Sequence, residues 1–138
     1  MTPEPSAVQD GFGEPLLEFR SVSKRYPGFA LEDLSFSLPR GCIGGLIGPN
    51  GAGKTTIVKL LLNLVRRDGG WITVAGRDPA EDEVAVKQRI GFVHEVPSYY
   101  EHLSLDAIGR VVGRFYRRWD RALFSSLLRE FDLPARAR

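Results

Sequence analysis

Gly48-Pro49-Asn50-Gly51-Ala52-Gly53-Lys54-Thr55-Thr56 matches the pattern G-x-x-x-x-G-K-[ST] at every fixed position. Glycines at 48, 51 and 53 let the backbone turn its N–H groups inward with no Cβ in the way. Those N–H groups, with the positive end of a following helix, form a cavity for a polyphosphate. Lys54 is placed to reach the β- and γ-phosphates, and the Thr55 hydroxyl is the expected Mg²⁺ ligand. Asn50, Gly51, Ala52, Gly53, Lys54, Thr55 and Thr56 are therefore the expected nucleotide contacts. A glycine-rich turn that binds nothing is the competing reading, and the flanking pattern argues against it.

The pattern expects a strand before such a loop and a helix behind it. Cys42-Ile43-Gly44-Gly45-Leu46-Ile47 reads as a short buried strand, and Ile57, Leu60, Leu61 and Leu64 recur at helical spacing behind the loop. Gly69-Gly70 is the expected end of that helix. Leu16 to Val22, Ala30 to Leu38 (Leu31, Leu34, Phe36, Leu38 inward), Trp71 to Val74 and Ile90 to Val93 read as further strands. A short polar helix is expected around Glu81 to Arg89. Ser104 caps a helix with the stripe Leu105, Ile108, Val112, Phe115 and Trp119. Asp120 caps another, with Leu123, Phe124, Leu127, Leu128 and Phe131, ended by Pro134. Strands and helices alternate through the middle of the chain, so the class is α/β.

With 138 residues, 43% hydrophobic and 26% charged, the chain has the composition of one ordinary globular domain. The net charge of +2 is too small to imply a nucleic-acid partner. A single cysteine, Cys42, excludes an intrachain disulfide and a cysteine-based metal cluster, and its apolar surroundings predict a buried thiol. No apolar run reaches the length of a membrane span. Met1 to Pro15 lacks lysine, arginine and an apolar centre and carries three prolines, which predicts a disordered leader rather than a secretory signal. His94 and His102 read as loop histidines, and Arg110, Arg114, Arg117, Arg118 and Arg121 as a solvated basic face.

The phosphate loop, the aromatic in Ser23-Lys24-Arg25-Tyr26, and Ile90-Gly91-Phe92-Val93 leading into a loop together resemble the nucleotide-binding domain of ATP-binding cassette (ABC) transporters. The likeness runs from about Leu16 to the last residue. It implies a P-loop NTPase fold, a RecA-like core with an N-terminal antiparallel β-subdomain, cut within the helical subdomain. Residues 1–15 would be the leader, 16–103 an incomplete ATP-binding core with the β-subdomain, and 104–138 the start of the helical subdomain.

By the same resemblance, Tyr26 stacks on adenine, a contact of about 1–3 kcal/mol. Glu95 stands where the family's Q-loop usually has glutamine, and could approach the Mg²⁺ as a second oxygen ligand beside Thr55. A carboxylate cannot donate the hydrogen bond that an amide would. The run Ser98 to Ser104 and the ending Arg114 to Asp120 are similar to bacterial exporter-type cassettes.

The resemblance implies ATP and Mg²⁺ as cofactors, a membrane-spanning subunit and a second cassette as partners, and a cytoplasmic position on the inner face of the membrane. The family's Leu-Ser-Gly-Gly signature, Walker B aspartate and catalytic glutamate do not occur in these residues. The expectation is an ATP-binding subunit that couples ATP hydrolysis to transport when complete, while this chain alone binds Mg-ATP. Two other readings stay open: a stand-alone module that binds ATP without turnover, and another P-loop enzyme such as a kinase or GTPase. In the family's sheet, two strands from the absent part lie between Cys42–Ile47 and Ile90–Val93, so both segments are expected to expose unpaired edges.

Overall fold

The computed structural model describes residues 15–95 and 102–134. The expected leader before Pro15, the loop stretch from Ser98 to Glu101 and the last four residues lie outside them. The chain forms two compact units, one through Lys87 and one from Gln88.

The first unit is built on an antiparallel three-stranded sheet, β2-β1-β3, of β1 (Pro15–Tyr26), β2 (Phe29–Pro39) and β3 (Gly69–Val74). Strict alternation would place Phe19 and Val22 on opposite faces, as it would Leu31 and Leu34. Both pairs turn the same way because Ser21 (φ 47°) and Asp33 (φ 50°) adopt left-handed backbone between them. The β1–β2 register shifts there, and the bulges are sealed by bonds from Ser21 N–H to Ser35 Oγ (2.8 Å) and from Asp33 N–H to Ser23 Oγ (3.2 Å). Against this face pack Ile57 and Leu60 of α1 (Lys54–Leu61), forming a core with Phe19, Val22 and Ile72. Phe19 stacks on Phe36 at 4.7 Å between ring centroids. The phosphate-loop helix is thereby seated on the β-sheet.

Helix α1 is shorter than its spacing predicts. It ends at Leu61, Asn63 takes a left-handed φ of 54°, and Leu64 lies outside it, 57% exposed. Gly69-Gly70 does not end the helix but opens β3. Beyond β3, the short α2 (Glu83–Lys87) falls within the predicted polar stretch.

The segments at either end of β3 are clamped by one ion pair. Arg67 Nη1 and Nη2 donate to the two oxygens of Asp78 at 2.9 and 2.6 Å, and Arg67 Nε donates to Gly70 O at 2.9 Å. Burial pushes the Asp78 carboxyl up, but bonds from Arg67 and the Ala80 N–H more than offset it and hold the group below its ordinary value of 3.8. Such a group binds its proton less readily in the folded than in the unfolded chain. Its contribution is complete above pH 3.8 and is lost as the pH falls through the lower folded-state value. Asp78→Asn should therefore destabilise the fold at pH 7 by about 1–2 kcal/mol, between the surface and the fully buried cases for a part-buried pair. That gap should narrow below pH 4, as denaturant unfolding of the two proteins across pH would show. A gap that widens on acidification would contradict the assignment.

In the second unit, α3 (Leu105–Gly113) and α4 (Arg121–Glu130) carry the predicted caps. Ser104 Oγ accepts from Ala107 N–H at 3.3 Å, and Asp120 Oδ1 from Leu123 N–H at 2.9 Å. The predicted stripe through Trp119 is interrupted because α3 stops at Gly113, leaving Phe115 71% exposed. Trp119 instead folds back so that its ring packs against Gly113 and Phe124. A Cβ on Gly109 would stand 2.5 Å from the Phe124 ring, so α4 approaches α3 where a side chain is missing. Gln88 holds the turn between them, its Oε1 accepting from Arg117 N–H at 2.8 Å and its Nε2 donating to Phe115 O.

Two predicted strands are not formed. Cys42–Ile47 and Ile90–Val93 pair with no strand among the described residues. Ile43 and Ile47 are fully open to solvent, as is most of Val93, and Cys42 is exposed rather than buried. The reason is a lack of neighbours: a buried parallel strand needs partners on both edges. Among the described residues the sheet holds only β2, β1 and β3, all paired antiparallel, so neither segment has a parallel neighbour.

Candidate nucleotide-binding site

Gly48 to Gly53 forms an open loop that enters α1 directly. Gly51 and Gly53 have φ of 84° and 94°, a region that L side chains rarely adopt. Gly53 is constrained twice, since a Cβ there would lie 2.9 Å from Phe29 Cζ and 3.2 Å from Leu31 Cδ1. The N-cap, Gly53, brings no side chain to bond the first N–H groups of α1, and the first turn holds no acidic residue. A helix start of this kind favours an anion through its unpaired donors and its dipole. Ala52 N–H donates to Pro49 O at 3.2 Å, tightening the turn.

Lys54 folds back across the loop, its Nζ donating to Gly48 O at 2.6 Å and to Pro49 O at 2.8 Å. An ammonium has three donors, so one remains for a ligand. Thr55 is exposed at the loop's exit, Thr56 half-buried, and Asn50, Gly51 and Ala52 are exposed on the loop itself. These residues fit a polyphosphate carrying a hard cation: donors for the anion and an oxygen for the metal.

Tyr26 ends β1, is 37% exposed, and stacks with Phe29 at 6.3 Å between centroids with 30° between ring planes. Phe29 in turn touches Gly53, so one aromatic ring separates Tyr26 from the phosphate loop. Lys24 Nζ lies 5.4 Å from the Tyr26 ring centroid, within cation–π range. The structure thus places Tyr26 and the loop residues in one unit, around the tip of the β1–β2 hairpin. Glu95 is exposed in the other unit, at the last described residue before position 96. His94 packs edge-on against Phe92 at 4.5 Å. Arg110 and Arg121, from the predicted basic face, both pair with Asp106.

Phe29 was missed by the sequence reading, although it faces Tyr26 across the two-residue turn Pro27-Gly28 and pairs with it in register. Asp68, which binds Lys24 and the Arg25 backbone, leaves no local signal, being more than forty residues from both.

The family model for ABC transporters matches residues 31–137. The chain belongs to the ABC transporter family. Its cassette resembles the daunorubicin resistance ATP-binding protein DrrA3 of Streptomyces coeruleorubidus, with 41% identity over 108 residues, 75% of this chain and 34% of that protein, and the fluoroquinolones export ATP-binding protein Rv2688c of Mycobacterium tuberculosis, 40% identical over 67% of this chain and 32% of that protein. A putative ribose/galactose/methyl galactoside import ATP-binding protein of Burkholderia ambifaria is also 41% identical, over 65% of this chain and 18% of that protein. Identity therefore carries no direction of transport. A solved structure of the ATP-binding subunit of an ABC transporter superposes with a TM-score of 0.76 at 33% identity, covering 86% of this chain and 51% of that one.

The cassette here spans about a third of the length of DrrA3. ABC cassettes in general bind ATP with Mg²⁺ and associate with membrane permease subunits at the cytoplasmic face. Among the described residues of this one, no helix is long and apolar enough to cross a membrane.

Proposed function

We propose that this chain binds Mg-ATP, with the triphosphate on residues 48–56 and the adenine on Tyr26, as the ATP-binding part of a transporter subunit. The observation that carries the reading is the uncapped start of α1 behind a glycine loop, with Tyr26 one ring away. Backbone N–H groups of the loop and first helical turn donate to the phosphates, and the Lys54 ammonium neutralises charge on the outer ones. A bound Mg²⁺ would screen the phosphate charge, with the Thr55 hydroxyl as its ligand from the loop.

In the whole protein, this binding drives transport through a membrane-spanning subunit and a second cassette, on the inner face of the membrane. The 138 residues contain no Leu-Ser-Gly-Gly run and no apolar run ending in Asp-Glu. They supply phosphate contacts, and whether this chain by itself only binds ATP or also turns it over is what a hydrolysis assay against Lys54→Ala decides.

Titration calorimetry with Mg-ATP tests the reading, and Tyr26→Ala should lower ATP affinity by about 1–3 kcal/mol, the value of one base stack. Inorganic tripolyphosphate should bind the two proteins alike. A clear preference for GTP over ATP would sink the cassette assignment of Tyr26. ATP hydrolysis by this chain at ordinary enzymatic rates would overturn the binding-only reading.

A further inference from the structure

We infer that Asp68 is a positioning residue for nucleotide-base recognition, holding the end of β1 so that the Tyr26 ring is fixed before the base arrives. The inference rests on the reading of Tyr26 as the base platform. The pairing of β1 with β3 ends at Ser23 and Gly69, so Lys24, Arg25 and Tyr26 are paired on one side only, by β2. A strand tip with one open edge frays readily.

Asp68, the residue before β3, closes that edge. Its N–H donates to Ser23 O at 2.9 Å. Its Oδ2 accepts from Arg25 N–H at 2.7 Å, taking the place a strand carbonyl would have had, and its Oδ1 accepts from Lys24 Nζ at 2.9 Å. Three consecutive residues preceding Tyr26 are thus tied to one aspartate.

The bond to Lys24 matters for where it leaves the ammonium. A lysine at a strand end is ordinarily a hydrated, rotamer-rich side chain. Here only 16% of it is exposed, and Nζ is fixed between the Asp68 carboxylate and the Tyr26 ring. The bond from Lys24 first, and then that from Arg25 N–H, hold the Asp68 carboxyl below its ordinary range, so it is the ionised acceptor that does this. An exposed ion pair contributes little to stability. Its effect falls on the ring, because a side chain ordered in advance loses less freedom when a ligand stacks on it.

Asp68→Asn keeps one acceptor oxygen and removes the charge. It should weaken Mg-ATP binding about fivefold, the scale of immobilising one side chain. Binding of Mg-tripolyphosphate, which has no base, should change less than about twofold. In a Tyr26→Ala background, Asp68→Asn should have no further effect on ATP, since coupled residues are not additive. Lys24→Met, which leaves Asp68 and its backbone bond in place, should show a smaller loss with the same dependence on the base. It carries the comparison if Asp68→Asn fails to fold.

Equal losses for ATP and tripolyphosphate would overturn the inference in favour of a merely structural role. So would an unchanged ATP affinity, or a full loss persisting without Tyr26. If the unaltered chain bound neither ligand, the nucleotide-binding reading itself would fall. Binding of both with no base-dependent loss would remove only the role of Asp68.

Discussion

Lys54→Ala should reduce Mg-ATP affinity by about 100-fold, near 3 kcal/mol, which is the scale for removing one partner of a charge-assisted contact. The residue has two tasks in this geometry. In the proposed complex its charge would face the phosphates, and its bonds to Gly48 O (2.6 Å) and Pro49 O (2.8 Å) draw the loop's entrance towards the start of α1. Alanine loses both, while the fold should be little changed because the core beneath rests on Ile57 and Leu60 rather than on Lys54. Calorimetry should show ATP and tripolyphosphate losing affinity in parallel, unlike the base-dependent loss for Tyr26→Ala. Lys54→Arg should recover little, since a planar fork does not place a point charge at the same spot. An affinity within threefold of the unaltered protein would disprove the role of Lys54.

Gly70→Ala should be the most destabilising single methyl in the first unit, by about 4 kcal/mol or more. Gly70 has φ of 80°, and a Cβ there would stand 2.3 Å from Ser21 O and 2.5 Å from Arg20 O. Those atoms are backbone of β1 at its bulge, where the β1–β3 register shifts between Arg20 and Ser23. The strand cannot yield without disturbing the placement of Phe19 and Val22, the centre of the core. Gly69 is the matched control. A Cβ there meets nothing within 4 Å, so Gly69→Ala should shift stability by less than about 1 kcal/mol. Denaturant unfolding of the two variants decides the matter: equal midpoints would mean that the close approach at Gly70 is relieved cheaply. The same experiment bears on binding, because the bulge region leads into Ser23, Lys24 and Tyr26.

The phosphate loop was legible in sequence because its chemistry is local. Loop, lysine and threonine are contiguous, and the required backbone conformations are written as glycines. The caps Ser104 and Asp120 were legible for the same reason: each side chain bonds an N–H three residues on. The β1–β2 hairpin was legible as two apolar runs, but its bulges were not. Left-handed φ at Ser21 and Asp33 goes with cross-strand bonds to Ser35 and Ser23, and of the two residues only aspartate has some preference of its own for that region. Cys42–Ile47 and Ile90–Val93 show the opposite limit. Their apolar character reads as strand, yet a strand exists only where a neighbour supplies its hydrogen bonds.

What the sequence by itself determined was a phosphate-binding loop on a helix, an aromatic suited to a base, and membership in the ABC cassette pattern. Tertiary structure decided the rest. It set α1 on the antiparallel sheet, put Phe29 between Tyr26 and Gly53, and brought Asp68 to the edge of β1. The division follows from range. Contacts within one turn depend on neighbouring residue types, whereas contacts between remote segments depend on where strands pair and where bulges redirect them.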